Sequence, residues 1–197
     1  MKTKYILGID PGYTMTGMVL YTDGSDEILE WAVHSCPKSV YSDLQRAIAL
    51  SDAVVNTAAR WLEKHYDGEV DACVELPILK KGRSANVVAF GKQMRLVQEI
   101  ETGLYFRLPA VGPRAAHLTE VMPTESKRIA TGSGTASKER VIHASPFQTW
   151  EEAASRDVLE ALADAWAHGQ AAYGVGGNRY DLSNMLVAKV VSNEKRA

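Results

Sequence analysis

The sequence predicts a layered α/β domain, and three observations predict it. Strand-like and helix-like segments alternate after an opening run of three strands. Two of the apolar strands each end in a carboxylate, which is where α/β sheets place their sites. A chain of 197 residues that is 46% hydrophobic and 23% charged has the apolar content for one core.

The elements follow in order. Residues 4–10, rich in Ile, Leu and Tyr, form the first strand, turned by Pro11-Gly12. Residues 15–21 form the second. The Asp23-Gly24 pair within "TDGSDE" signals a hairpin into a third strand, "ILEWAVHS", at 28–35. From 42 to 65 a helical period runs through Leu44, Ile48, Ala49, Val55, Ala59 and Leu62. "EVDACVELP" (69–77) is a strand that ends in Glu75 and is stopped by Pro77. A helix is expected over 84–103, closed by Gly103. A strand is expected over 104–113, then short helical stretches around 114–121 and 124–130, parted by Pro123. "TGSGTAS" (131–137) reads as a flexible loop, and "KERVIHAS" (138–145) as a short helix. The last helix is expected over 149–174, with Thr149 as N-cap and glutamates in its first turn. The domain therefore spans 1–174. Residues 175–197, after a glycine-rich break, form a weakly ordered C-terminal extension.

Composition narrows the function classes. No run approaches the roughly 18–20 apolar residues of a membrane span. The apolar run after Lys2 and Lys4 meets Asp10 too soon for a secretory leader. Cys36 and Cys73 have no metal or redox spacing and are expected to be free thiols in a reducing cytoplasm. The net charge of −2 argues against a uniformly basic nucleic-acid coat. Basic residues nevertheless cluster in "KKGR" (80–83), "GKQMR" (91–95), "SKR" (126–128) and "SKER" (137–140). Each cluster taken alone reads as solvated surface.

The acids carry the chemistry. Asp10 and Glu75 each close an apolar strand, where a charge costs several kcal/mol unless it is paired or binds a metal. On the last helix, Asp157, Glu160, Asp164 and His168 are spaced by three, four and four residues. At about 100° per residue they share one stripe, opposite Val158, Leu159, Leu162 and Trp166. A solvated acidic face is the plain reading, but no Lys or Arg interrupts the stripe between 157 and 168. Carboxylates from two strands and one helix suit a pair of hard divalent cations such as Mg²⁺. Two registers on the helix serve equally by spacing: Asp157 with Glu160, or Glu160 with Asp164.

Four segments then carry a resemblance. "GIDPGYTMTG", "CVELP", "TGSGTASKERV" and "DVLEALADAWAHG" occur in the order and spacing of the RuvC-type Holliday-junction resolvases, across about residues 4–170. The resemblance implies a ribonuclease-H-like fold, with a mixed five-stranded sheet flanked by helices. It implies a homodimer that cleaves four-way DNA junctions symmetrically, leaving 5′-phosphate and 3′-hydroxyl ends. It implies two Mg²⁺ ions per site, with Mn²⁺ able to substitute. By position, Asp10, Glu75, Asp157 and Glu160 correspond to the metal-binding acids, which favours the first register. Lys127 and Lys138 match two lysines that act on DNA phosphates, and Lys81 and Arg83 join them as DNA-binding candidates. Ile78 falls where the family often has an aromatic residue that stacks at the junction. Glu160 stands where an Asp is commoner. The divergence fits a phage or mobile-element relative.

Two other function classes compete. An actin-like or sugar-kinase-like ATPase module uses a similar "GIDxGxTxTG" string to hold phosphate, but needs a second phosphate hairpin. A junction-binding protein without catalysis would have no need for all four acids.

Overall fold

The computed structural model describes residues 3–25, 27–37, 39, 42–65, 68–79, 85–108, 115–150, 155–173 and 179–181. Strand β1 (Lys4–Asp10) lies inside the sheet and is buried from Tyr5 to Ile9. It pairs antiparallel with β2 (Met15–Thr22) and parallel with β4 (Glu69–Glu75). Strand β3 (Ile28–Ser35) continues the antiparallel side as an edge, with its residues only partly covered. Strand β5 (Ala115–Val121) adds to β4 in parallel. The short β6 (Arg179–Asp181) pairs antiparallel with β5, giving the order β3-β2-β1-β4-β5-β6. The expected mixed sheet of five strands is present, and residues beyond the expected boundary at 174 extend it by one.

Helices cover both faces. On one face, α1 (Asp43–Lys64) and α2 (Ala85–Arg107) pack over Leu7, Ile9, Leu20 and Val74. On the other, α3 (Pro123–Thr131), α4 (Lys138–Ala144) and α5 (Arg156–Gln170) pack around Ile6, Val19 and Cys73. The split of Ile6 from Leu7 and Ile9 is the two-residue alternation of a strand buried on both sides. Helix α1 begins with a full capping box: Ser42 Oγ accepts from Gln45 N, and the Gln45 side chain accepts from Ser42 N. Both cysteines are buried, and neither is in a disulfide. Among the described residues, no helix is long and apolar enough to cross a membrane.

The structure corrects the expectations between 103 and 121. Gly103 does not end the helix; α2 runs on to Arg107. Its buried ridge of Leu96, Ile100 and Leu104 keeps the four-residue period beyond the glycine, and Leu108 extends it. A Cβ at Gly103 would lie 2.6 Å from Val55 Cγ2, so this glycine lets α1 and α2 approach. Of the expected strand at 104–113, residues 104–107 continue α2 and residues 109–113 lie outside the described residues; of the expected helical stretch at 114–121, Ala115–Val121 are β5. Pairing with β4, from Glu69–Ala115 to Glu75–Val121, overrides the helical preference of its alanines.

Two further boundaries move. Residues Pro146–Trp150 form a 3-10 turn, and α5 starts at Arg156 after Ser155, so Thr149 is not its N-cap. The glutamates at 151 and 152 lie outside the described residues. The expected flexible loop after α3 is tied down locally. Thr131 Oγ1 donates to Lys127 O at 2.7 Å and accepts from Ser133 N at 3.3 Å.

Candidate metal centre

The position of α5 sets the site. Its residues Ala161, Ala165 and Gly169 form one ridge laid on β1 and β2. A Cβ at Gly8 would stand 2.0 Å from Ala165 O, and one at Gly17 would stand 2.2 Å from Ala161 O. Only glycine at both strand positions lets the helix sit so close. The glycines of "GIDPGYTMTG" thus hold the helix down onto the strand that carries Asp10. Residues one step before the ridge, Glu160, Asp164 and His168, lie about 100° around the helix from it.

The turn after Asp10 is also fixed. Gly12 N donates to Asp10 O at 2.9 Å, and Thr16 Oγ1 donates to Gly12 O at 3.0 Å. From α1 the buried Arg46 donates to Tyr13 O at 2.6 Å and places its guanidinium 4.7 Å from the centre of the Tyr13 ring. Asp10 is adjacent to Glu75 because Ile9 and Val74 are register partners at the ends of parallel strands.

Asp10, Glu75 and His168 each offer a ligand atom, and these atoms lie within 4.8 Å of one another. His168 Nε2 is 2.6 Å from Glu75 Oε2 and 3.9 Å from Asp10 Oδ1. The ring is 2% exposed, and its Nε2 is turned to the Glu75 carboxylate, within hydrogen-bond distance when it carries a proton. Burial, then the charge of Glu75, pushes the Asp10 carboxyl up to about 8. Burial pushes Asp164 up as well; Glu75 adds to that, while His168, Lys127 and Lys138 oppose it. For His168, burial disfavours the charged ring, but Glu75, Asp10 and Asp164 outweigh it and raise its pKa.

A cleft of about 470 Å³ reaches this cluster at Asp10, with Asp157, Glu160 and Asp164 along its α5 wall and Lys138 beside them. Glu160 is paired with Lys138 and with Arg156 Nε, the latter at 2.9 Å. The hydrogen bond from Lys138 holds the Glu160 carboxyl below its ordinary range. Asp157 is exposed on the first turn of α5.

The donor set fits a divalent cation. Two carboxylates and an imidazole nitrogen suit the magnesium and manganese class, with the imidazole favouring the transition metal. The repulsion between Asp10 and Glu75 is relieved by a cation among them, and the buried Nε2 faces the same point.

No protein-family model matches the chain, and no curated protein matches it significantly by sequence. Solved structures do match. A RuvC structure from Thermus thermophilus is 17% identical, with a TM-score of 0.59, over 89% of this chain and 99% of that one. A T. thermophilus RuvC in complex with a Holliday junction substrate is 15% identical, with a TM-score of 0.56, over 90% and 99%. The chain shares the fold of RuvC. The expected ribonuclease-H-like architecture is therefore present.

The sequence-derived candidates fall in three places. Asp10 and Glu75 meet as the strand order predicts. Of the α5 stripe, the structure brings His168 to that pair, with Asp164 near enough to feel the charges of Glu75 and His168. Glu160 stands a turn away with Lys138, and Asp157 stands at the rim. The positional resemblance points to Asp157 with Glu160, whereas the structure sets His168 against Asp10 and Glu75 with Asp164 nearby. Lys127 lies near enough for its charge to reach Asp164. Ile78 is 41% exposed, three residues past Glu75. Lys81 and Arg83 lie outside the described residues.

Proposed function

We propose that this protein is a divalent-metal-dependent endonuclease that resolves branched DNA, four-way junctions above all, by paired phosphodiester hydrolysis. One observation carries the reading: Asp10, Glu75 and His168 converge, and Asp10 opens onto a cleft with Asp164 and Glu160 on its wall. The shared fold with a RuvC described in complex with a Holliday junction supports the choice of substrate.

Asp10, Glu75, His168 and Asp164 are the residues that would hold Mg²⁺ or Mn²⁺, two ions per site, with Glu160 available once Lys138 leaves it. Bound cations supply Lewis-acid stabilisation of the phosphate and activation of water. The oxygen of water attacks phosphorus and the bond to the 3′ oxygen breaks, giving a 5′-phosphate and a 3′-hydroxyl. Lys138 and Lys127 hold phosphate oxygens as point charges. Ile78 and its exposed neighbour Leu79 offer apolar contact to unstacked bases beside the cut. A second copy related by a two-fold axis supplies the second cut. Such an enzyme acts in the cytoplasm on recombination and repair intermediates.

The test is cleavage of labelled four-way junctions, flaps and forks with Mg²⁺ and with EDTA, beside an ATPase assay on the same samples. Metal-dependent paired nicks with directly ligatable ends support the proposal. ATP turnover without cleavage, or junction binding without either, overturns it.

A further inference from the structure

Ser126 on α3 lies behind the candidate metal centre and is completely buried. Its Oγ donates its single hydrogen to Pro123 O at 3.0 Å. The same oxygen lies 3.0 Å from His168 Nδ1. A hydroxyl whose hydrogen is already committed can only accept a second bond. The hydrogen between them therefore belongs to Nδ1. That leaves Nε2 as the nitrogen facing Glu75 and Asp10, and its two contacts at 2.6 and 3.9 Å fix which way the ring points.

We infer that Ser126 is a positioning residue for this centre: it holds the Nδ1 hydrogen of His168 so that Nε2 is presented to a divalent cation at Asp10 and Glu75. The inference rests on the proposed metal-dependent reading and adds a residue to it. Three features of the structure support it. Pro123 opens α3 and Ser126 sits three residues on, so the hydroxyl is oriented by its own helix start. Helix α3 packs directly on α5, which makes the link between Ser126 and His168 rigid. Nε2 is buried and turned to the Glu75 and Asp10 carboxylates, the groups with which it would share a cation. Imidazoles that bind metals generally donate their other N–H to such a partner, and losing the partner costs about 10–100-fold in metal affinity.

The experiment uses the full chain and Mn²⁺ alone as the probe. Titration calorimetry measures Mn²⁺ affinity, and ¹H–¹⁵N spectra of the metal-free protein follow the Nδ1–H resonance of His168, assigned by its loss in His168→Gln. In the unaltered protein that resonance is expected downfield, as for a hydrogen-bonded N–H. In Ser126→Ala it should move upfield or broaden away, and Mn²⁺ affinity should fall about 10–100-fold. Ser126→Cys keeps nearly the same volume with a weak acceptor and should fall between; it carries the test where Ser126→Ala does not fold. An unshifted Nδ1–H with unchanged affinity in the variants overturns the inference. An unaltered protein that binds Mn²⁺ but cuts no branched DNA overturns the proposed function and leaves the role of Ser126 standing. An unaltered protein that binds no Mn²⁺ overturns both.

Discussion

Lys138 on α4 and Glu160 on α5 form an ion pair across the mouth of the acidic cleft, and Arg156 takes the other oxygen of the same carboxylate. Glu160 is therefore neutralised by the chain itself. Asp164, one turn further along, is set deeper and faces Glu75 and His168. Two acids on one stripe of α5 thus meet opposite surroundings, and the difference orders their expected roles.

The first prediction concerns the register on α5. Asp164→Asn should lower single-turnover cleavage about 100–1000-fold, the usual loss for one electrostatic group at a reacting phosphate. Asp157→Asn, at the exposed rim, should cost less than about tenfold. Binding measured separately in Ca²⁺ should survive in both. A dead Asp157→Asn beside an active Asp164→Asn would return the metal site to the first turn of the helix, as the positional resemblance favours.

The lysines give a second prediction. Lys138→Ala should reduce the salt dependence of junction binding by about one unit of slope, and Lys127→Ala likewise. The Lys138 side chain is 57% exposed, so breaking its pair with Glu160 should cost no more than about 1 kcal/mol of stability. Equilibrium binding across a salt series checks the first point and thermal unfolding the second. An unchanged slope would make both lysines ordinary surface residues.

A third prediction concerns cation-linked stability. Asp10 and Glu75 repel within a buried cluster, and a divalent cation relieves that repulsion. Mg²⁺ or Mn²⁺ at about one hundred times its Kd should stabilise the fold by about 2.7 kcal/mol, a rise in Tm of about 5–10 °C. Above about pH 8, where Asp10 ionises, Asp10→Asn should raise the Tm of the metal-free protein because it removes a desolvated charge, and it should abolish the rise with metal. Differential scanning calorimetry with EDTA and with each cation measures both. An equal metal-induced rise in Asp10→Asn would place the cation elsewhere.

Much of this arrangement was legible in the sequence. Strand-end acids and a helical acidic stripe are local patterns, and both name residues of the centre. The glycines at 8 and 17 were read as part of a motif, and only the fold reveals that they admit the ridge of α5. The segment 103–121 carries conflicting signals. A glycine suggests a helix end, yet at 103 it accommodates Val55 of another helix. Alanines suggest a helix at 114–121, yet β4 offers a parallel strand to pair with. Which face of α5 meets Asp10 depends on that packing too, so the choice between Asp157 and Asp164 could not be read from spacing. Ser126 carried no signal, since a lone serine becomes informative only when its partner is known.

The last prediction lies away from the centre. Glu101 on α2 is partly buried, its Oε1 makes no hydrogen bond, and burial, with a smaller contribution from Glu120 on β5, pushes its carboxyl up to about 7. An acid whose pKa rises on folding binds its proton more tightly in the native state. Its ionisation therefore erodes stability as pH rises from the unfolded value of 4.5 through 7, and the loss is complete above that. Glu101→Gln keeps the shape and removes the charge. The variant should match the unaltered protein near pH 4.5 and gain on it steadily up to about pH 8. Discounted for its residual exposure, the gain should reach about 1–2 kcal/mol, or roughly 2–8 °C in Tm. Junction cleavage should be unchanged, because Glu101 sits on the face of the sheet opposite α5. Urea unfolding across this pH range is the measurement. A constant difference between the two proteins at every pH would mean that Glu101 stays ionised in the fold and is neutralised by its surroundings.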